Sequence, residues 1–194
     1  MKKYFAIGFL FVISNLSWGQ LPKDTFHVYR LEEALKADVN EVFSIDLSRS
    51  KLTELPEELK RFTNLRSINL NRNKLSSLPD FFTQFTQLEF IYMSRNQFTA
   101  FPYPLFYLFD IKHLDLSRNK IMSIPAGIAN LEKLIYLDIW DNNFTFIDPI
   151  FKELQQLQVI DFRGTTYSTV FVAHWTAAFP HSKVLFDPPC KCLD

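Results

Sequence analysis

From Val42 onward the apolar residues keep a fixed beat. Leu65, Leu88, Ile111, Leu134 and Leu157 stand 23 residues apart, and Val42 stands 23 before the first of them. Numbering each segment from that residue, places 4 and 6 are apolar: Ile68 and Leu70, Ile91 and Met93, Leu114 and Leu116, Leu137 and Ile139. Place 9 is asparagine (Asn73, Asn96, Asn119, Asn142), and places 11 and 14 are apolar again, as in Leu75 and Leu78 or Phe98 and Phe101. Apolar residues alternating with polar ones over places 3 to 7 mark a short strand. One segment is too small to bury its own apolar side. Stacking copies at the strand spacing of roughly 4.8 Å merges those sides into one core, which predicts a solenoid. The asparagine falls where the chain leaves the strand. Its amide both donates and accepts, so it suits backbone groups of turns that no ladder satisfies, and it reads as structural.

The pattern frays at both ends, as terminal repeats do. Place 9 is Ser50 in the first copy and Thr165 in the last, and a proline slips by one to Asp148-Pro149. Val28, Leu31 and Leu35, around Glu32 and Glu33, predict an amphipathic helix over the open N-terminal end of the core. Phe171, Trp175 and Phe179, four apart, predict one apolar helical face, and Lys183 to Phe186 a final short strand. The expected division is a helical cap over 20–41, about six repeats over 42–179, and a cap strand and tail over 180–194.

This register resembles the leucine-rich repeat family, whose segment reads L-x-x-L-x-L-x-x-N-x-L. The second half is similar to the L-P-x-x-L-x-x-L variety: Leu55-Pro56 leads to Leu59 and Phe62, and Leu78-Pro79 to Phe82 and Phe85. The resemblance covers about residues 42 to 179. It implies an α/β solenoid with a parallel sheet on its concave side, and a function of non-enzymatic protein–protein interaction through that face. Carbohydrate binding by the same face is the alternative, and a self-associating envelope component a third reading.

Strand side chains alternate between faces, so places 3, 5, 7 and 8 point away from the core. Place 8 gives Arg49, Arg72, Arg95 and Arg118, then Asp141. These cations, about 4.8 Å apart, lie within a Debye length of one another. Either an adjacent row of aspartates neutralises them or an acidic partner does. Place 5 is mostly Asp, with Asp46, Asp115, Asp138 and Asp161, and matches the family's common filler. Phe90, Tyr92, Tyr136 and Trp140, with His113 between, replace small polar residues on a face expected to be open to water. They read as a binding cluster, or as cross-strand packing that stiffens the sheet.

A second patch falls on the opposite side. Tyr103, Phe106, Tyr107 and Phe109 occupy places that other copies fill with Glu58, Lys60, Arg61, Thr83 or Gln84, and Phe81 of the preceding copy is close by. Two readings are open: a dimer contact or docking site, or a segment twisted by Pro102 and Pro104 so that some of these rings are buried.

Composition trims the function classes. Lysines and arginines number 21, as do aspartates and glutamates. That balance lacks the basic footprint of nucleic-acid binding. Four glycines leave no phosphate-cradling loop, and no G-x-S-x-G or H-E-x-x-H occurs. His113 and Asp115 share one face without a nucleophile, which suggests a hydrogen-bonded surface pair rather than a catalytic one. No enzyme activity, cofactor or metal is expected. Met1-Lys2-Lys3, the apolar run Tyr4 to Ile13 and Ser17-Trp18-Gly19 form the three parts of a secretory signal peptide, residues 1–19, with cleavage before Gln20. Export, to a bacterial-looking periplasm or beyond, follows, with no later span of a membrane. Cys190 and Cys192 are the only cysteines. A bridge between residues two apart is strained, so a strained bridge, free thiols and an intermolecular bridge all stay open.

Overall fold

The computed structural model describes residues 27–188. The signal segment, the chain up to Phe26, and Cys190 and Cys192 lie outside them.

Strands follow the beat. They are β1 (Val28–Tyr29), β2 (Ser44–Asp46), β3 (Ser67–Asn69), β4 (Phe90–Tyr92), β5 (His113–Asp115), β6 (Ser123–Ile124), β7 (Tyr136–Asp138), β8 (Phe146–Ile147), β9 (Val159–Asp161) and β10 (Lys183–Leu185). Among the described residues, eight of them form one parallel sheet in the order β1-β2-β3-β4-β5-β7-β9-β10. Ser44 pairs with Ser67, Ser67 with Phe90, Phe90 with His113, His113 with Tyr136 and Tyr136 with Val159. Every place therefore meets the same place one copy on, and the sheet lines one side of an α/β solenoid. The other side carries short 3₁₀ segments, such as Glu57–Arg61, Asp80–Gln84 and Tyr103–Tyr107, each entered from a proline. Proline fixes φ and has no N–H to leave unsatisfied, so it starts such a turn without loss. β6 and β8 form a small second sheet on the way round.

The core is what the pattern predicts. Ile45, Ile68, Ile91, Leu114, Leu137 and Ile160 at place 4 are buried, as are Leu47, Leu70, Met93, Leu116, Ile139 and Phe162 at place 6. The asparagines form a ladder. Asn96 donates from Nδ2 to the carbonyls of Leu70 and Met93, each at 3.0 Å, and its Oδ1 accepts from the N–H of Leu75 at 3.1 Å. Asn73, Asn119 and Asn142 repeat the arrangement one copy away each time. Each side chain thus ties a turn to the copy before it.

The ends depart from expectation at one place. The helix predicted from Val28, Leu31 and Leu35 is a single turn, α1 (Leu31–Ala34), and Ala34 is its buried residue. Val28 is not on it. It lies in β1, 49% exposed, and pairs with Ser44. The edge of β2 offers backbone groups that want partners, and an added strand supplies them where a helix cannot. At the other end, α2 (Thr169–Ala178) is capped by Ser168, whose Oγ accepts from the N–H of Phe171. Trp175 and Phe179 pack on Phe151, with ring centroids 5.6 and 5.0 Å apart, and Phe186 stacks on Phe162 at 5.1 Å. β10 forms where the sequence predicts it. Among the described residues, no helix is long and apolar enough to cross a membrane.

Candidate functional site

Place 5 is first a structural position. Oδ1 of Asp46, Asn69, Asp115, Asp138 and Asp161 each accepts from the backbone N–H two residues on, at 2.8 to 3.1 Å. A side-chain oxygen here satisfies an N–H at the strand's end. Tyr92 is the exception, since its ring cannot do this. Asn71 of the preceding copy compensates, its Oδ1 accepting from the N–H of Ser94 at 2.6 Å. An aromatic ring has been placed where the fold uses an Asx cap, and a second residue repairs the loss.

The rings around Tyr92 stand in a row. His113 stacks on Tyr136 (centroids 4.3 Å, planes 5° apart) and lies 5.3 Å from Tyr92 and 6.4 Å from Phe90. Trp140 carries the Arg118 guanidinium over its face at 4.0 Å. Phe90, Tyr92, Tyr136 and Trp140 are half-buried. His113 is not open to water as the sequence suggested, being only 6% exposed between its neighbours. Burial disfavours its charged form and lowers its pKa to about 4, so the ring is neutral at pH 7. It is also not hydrogen-bonded to Asp115, whose carboxylate instead accepts from the hydroxyl and N–H of Ser117. The flat neighbours on both sides hold the imidazole upright, and that packing overrides the pair expected from spacing.

Beside this row the acidic row runs into the interior. Asp138 is 6% and Asp161 0% exposed. Arg163 reaches Asp161 with two guanidinium nitrogens, its Nη2 at 2.7 Å from Oδ2. Asp138 accepts one N–H, from Trp140, and lies between Asp115 and Asp161. Burial, then the neighbouring Asp115 charge, push its pKa up to about 8, and burial raises that of Asp115 as well.

The arginine row has a property that spacing alone did not reveal. Arg49, Arg72, Arg95 and Arg118 all sit at left-handed backbone, with φ of 59, 59, 56 and 53°. Asp141 (56°) and Gly164 (87°) hold the same place in the last two copies. This conformation costs an ordinary side chain on the order of 1–2 kcal/mol, and Asn, Asp or Gly least. The neutralising ladder read as one option for these arginines does not form. Asp46 pairs with Arg30, at 3.3 Å, rather than with Arg49. Arg118 comes within 4.0 Å of Asp141. Arg49, Arg72 and Arg95 are exposed, and among the described residues their guanidinium groups make no ion pair or hydrogen bond.

On the convex side, Tyr103, Tyr107 and Phe109 are 50, 55 and 56% exposed. Phe106 turns inward, stacked on Phe101 at 5.3 Å and over Gly127, where a Cβ would meet its ring at 2.6 Å. Phe81 is buried and so takes no part in an open patch. Pro102 and Pro104 do not twist the segment, which keeps the same 3₁₀ turn as its neighbours.

Leucine-rich repeat family models match residues 40–98 and 110–131. A leucine-rich repeat protein of Leptospira interrogans is similar in structure, with a TM-score of 0.51 and 23% identity over 74% of this chain. Internalin C2 of Listeria monocytogenes has a TM-score of 0.64 and 19% identity over 76%. The chain spans 48% of the first and 62% of the second. A search of curated proteins finds no match.

Proposed function

The chain belongs to the leucine-rich repeat family, whose domains generally mediate protein–protein interaction, and from that premise we propose that it is a non-enzymatic module that holds a protein partner on its concave face. The observation that carries this reading is Tyr92. A residue that merely filled the sheet would be the Asp or Asn of the other copies, because that residue caps the strand. Tyr92 gives up the cap, and Asn71 restores it, so the ring is there for what it presents. Half-buried aromatic side chains held rigid by their neighbours lose little freedom on binding, which is the condition for an interface hot spot. The ring stacking also favours protein over sugar. A sugar stacks on an open ring face, and here His113 lies against Tyr136 and Arg118 covers one face of Trp140.

The test is capture from whole cells and spent medium by the purified protein and by a Tyr92→Asp, Tyr136→Ser, Trp140→Ser variant of unchanged fold. A protein partner retained by the parent and lost by the variant is the expected result. Equal capture by both would remove the concave aromatics from the function. We further propose that the protein is exported. Sequencing the mature N-terminus is expected to give Gln20, and a retained Met1 would overturn that.

A second reading rests on the half-exposed Tyr103, Tyr107 and Phe109, which suit self-association through the convex side. Sedimentation of a Tyr103→Ser, Tyr107→Ser, Phe109→Ser variant decides it. A mass that falls from dimer to monomer supports self-association, and a parent already monomeric at high concentration ends it.

A further inference from the structure

We infer that Arg49, Arg72, Arg95 and Arg118 form a rail for a short acidic segment of the protein partner, running along the stacking axis at the rim of the concave face. This inference rests on the concave-face reading and names the chemistry of what binds there. Three observations converge on it. All four arginines occupy a backbone conformation that Asn, Asp or Gly adopts more easily, and the last two copies do use Asp141 and Gly164 there. Three of the four are exposed with no ion-pair or hydrogen-bond partner among the described residues, so their charge is not consumed within the fold. The fourth is held over the face of Trp140, which ties the rail to the aromatic row.

The occupant follows from length and from charge. Four strands at about 4.8 Å give a rail of roughly 14 Å, the reach of four or five extended residues. Carboxylates on one face of an extended segment recur at about 6.8 Å, so two or three of them lie among four guanidinium groups, each within reach of two. Past Arg118 the same rim becomes Asp141, an exposed carboxylate at the same left-handed place. A long polyanion such as a nucleic acid or sulfated polysaccharide would run onto this carboxylate, whereas a short acidic peptide segment ends before it.

The probe is a fluorescein-labelled pentaglutamate peptide, matched to the length of the rail and read by anisotropy with the intact protein at about 50 mM salt and again at about 300 mM. Binding that weakens at least ten-fold with salt is expected. The Arg49→Asn, Arg72→Asn, Arg95→Asn variant should bind it at least ten-fold more weakly while melting at the same temperature or higher, because asparagine suits the left-handed backbone. Peptide binding unchanged in the variant overturns the rail. So does a parent that ignores the peptide but retains a sulfated polysaccharide. The same variant is carried through the capture experiment. Partner lost by the aromatic variant but kept by the arginine variant sinks the rail alone. Partner lost by the arginine variant but kept by the aromatic one sinks the aromatic reading alone.

Discussion

Asp138 is the residue at which the fold's needs and its electrostatics disagree. Its Oδ1 caps the strand by accepting from the N–H of Trp140, but the group sits in the interior between Asp115 and Asp161. Its pKa is raised from an ordinary carboxylate value to about 8. A folded-state pKa above the unfolded one means that the folded form binds the proton more tightly. The resulting stability is complete at pH below about 4 and is lost as pH rises through about 8. Asn keeps the cap oxygen and can never ionise. Asp138→Asn should therefore gain stability over the parent, on the order of 2 kcal/mol at pH 9 and little at pH 4. Denaturant melts at the two pH values measure the difference. A gain of the same size at both would show that repacking, not ionisation, is responsible. His113 works in the opposite sense. Its pKa, lowered to about 4, gives stability present above about pH 6.5 and lost as pH falls through 4, so only the comparison of variant with parent isolates Asp138.

At the scale of the element, one repeat is held to the next by its strand ladder, its core residues and its asparagine. Asn96→Ala leaves the carbonyls of Leu70 and Met93 and the N–H of Leu75 without their side-chain partner in a buried turn. The expected loss is on the order of 1–3 kcal/mol by denaturant titration, the cost of leaving buried backbone groups without their partner. An unchanged midpoint would mean that the turn rearranges to satisfy itself. Gly127→Ala tests the convex side in the same way, because its Cβ would strike the Phe106 ring at 2.6 Å. Ring displacement should expose more apolar surface and lower the melting temperature. These elements were legible in the sequence because the 23-residue period fixes register, and register fixes which side chains face inward. What the period could not carry was local. The left-handed φ of place 8 is invisible in a row of arginines, since the residues that announce it, Asp141 and Gly164, come only in the last copies. The burial of His113 depends on flat rings in both neighbouring copies. β1 was missed because two residues of strand leave no periodicity, and Val28, Leu31 and Leu35 match a helix face by spacing alone.

Over the whole molecule, each copy touches only its neighbours, so stability passes along the stack through nearest-neighbour interfaces and the ends carry a separate burden. The C-terminal end is closed by aromatic packing. Phe162, which holds place 6 of the last copy, meets Phe186, Tyr167 and Phe171, and Phe151 meets Trp175 and Phe179. Phe151, Phe162, Phe171, Phe179 and Phe186 thus belong to the seal, whereas the concave aromatic row holds Phe90. Trp175→Ala opens a cavity under α2 and should remove roughly 3–5 kcal/mol from this end. Because the interfaces are local, the damage should be local too. Backbone hydrogen exchange is expected to quicken in β9, β10 and α2, while β3, β4 and β5 keep their protection, since three or more intact copies still stack beneath them. Tyr92 lies in β4 and the rail arginines follow β2 to β5, on the N-terminal side of the damage, so acidic-peptide binding should persist in the variant at temperatures where its C-terminal end has already opened. Exchange that quickens equally from β3 to β10 would instead mean that the repeats and their cap unfold as one unit, and the seal would then be a determinant of binding as much as of stability.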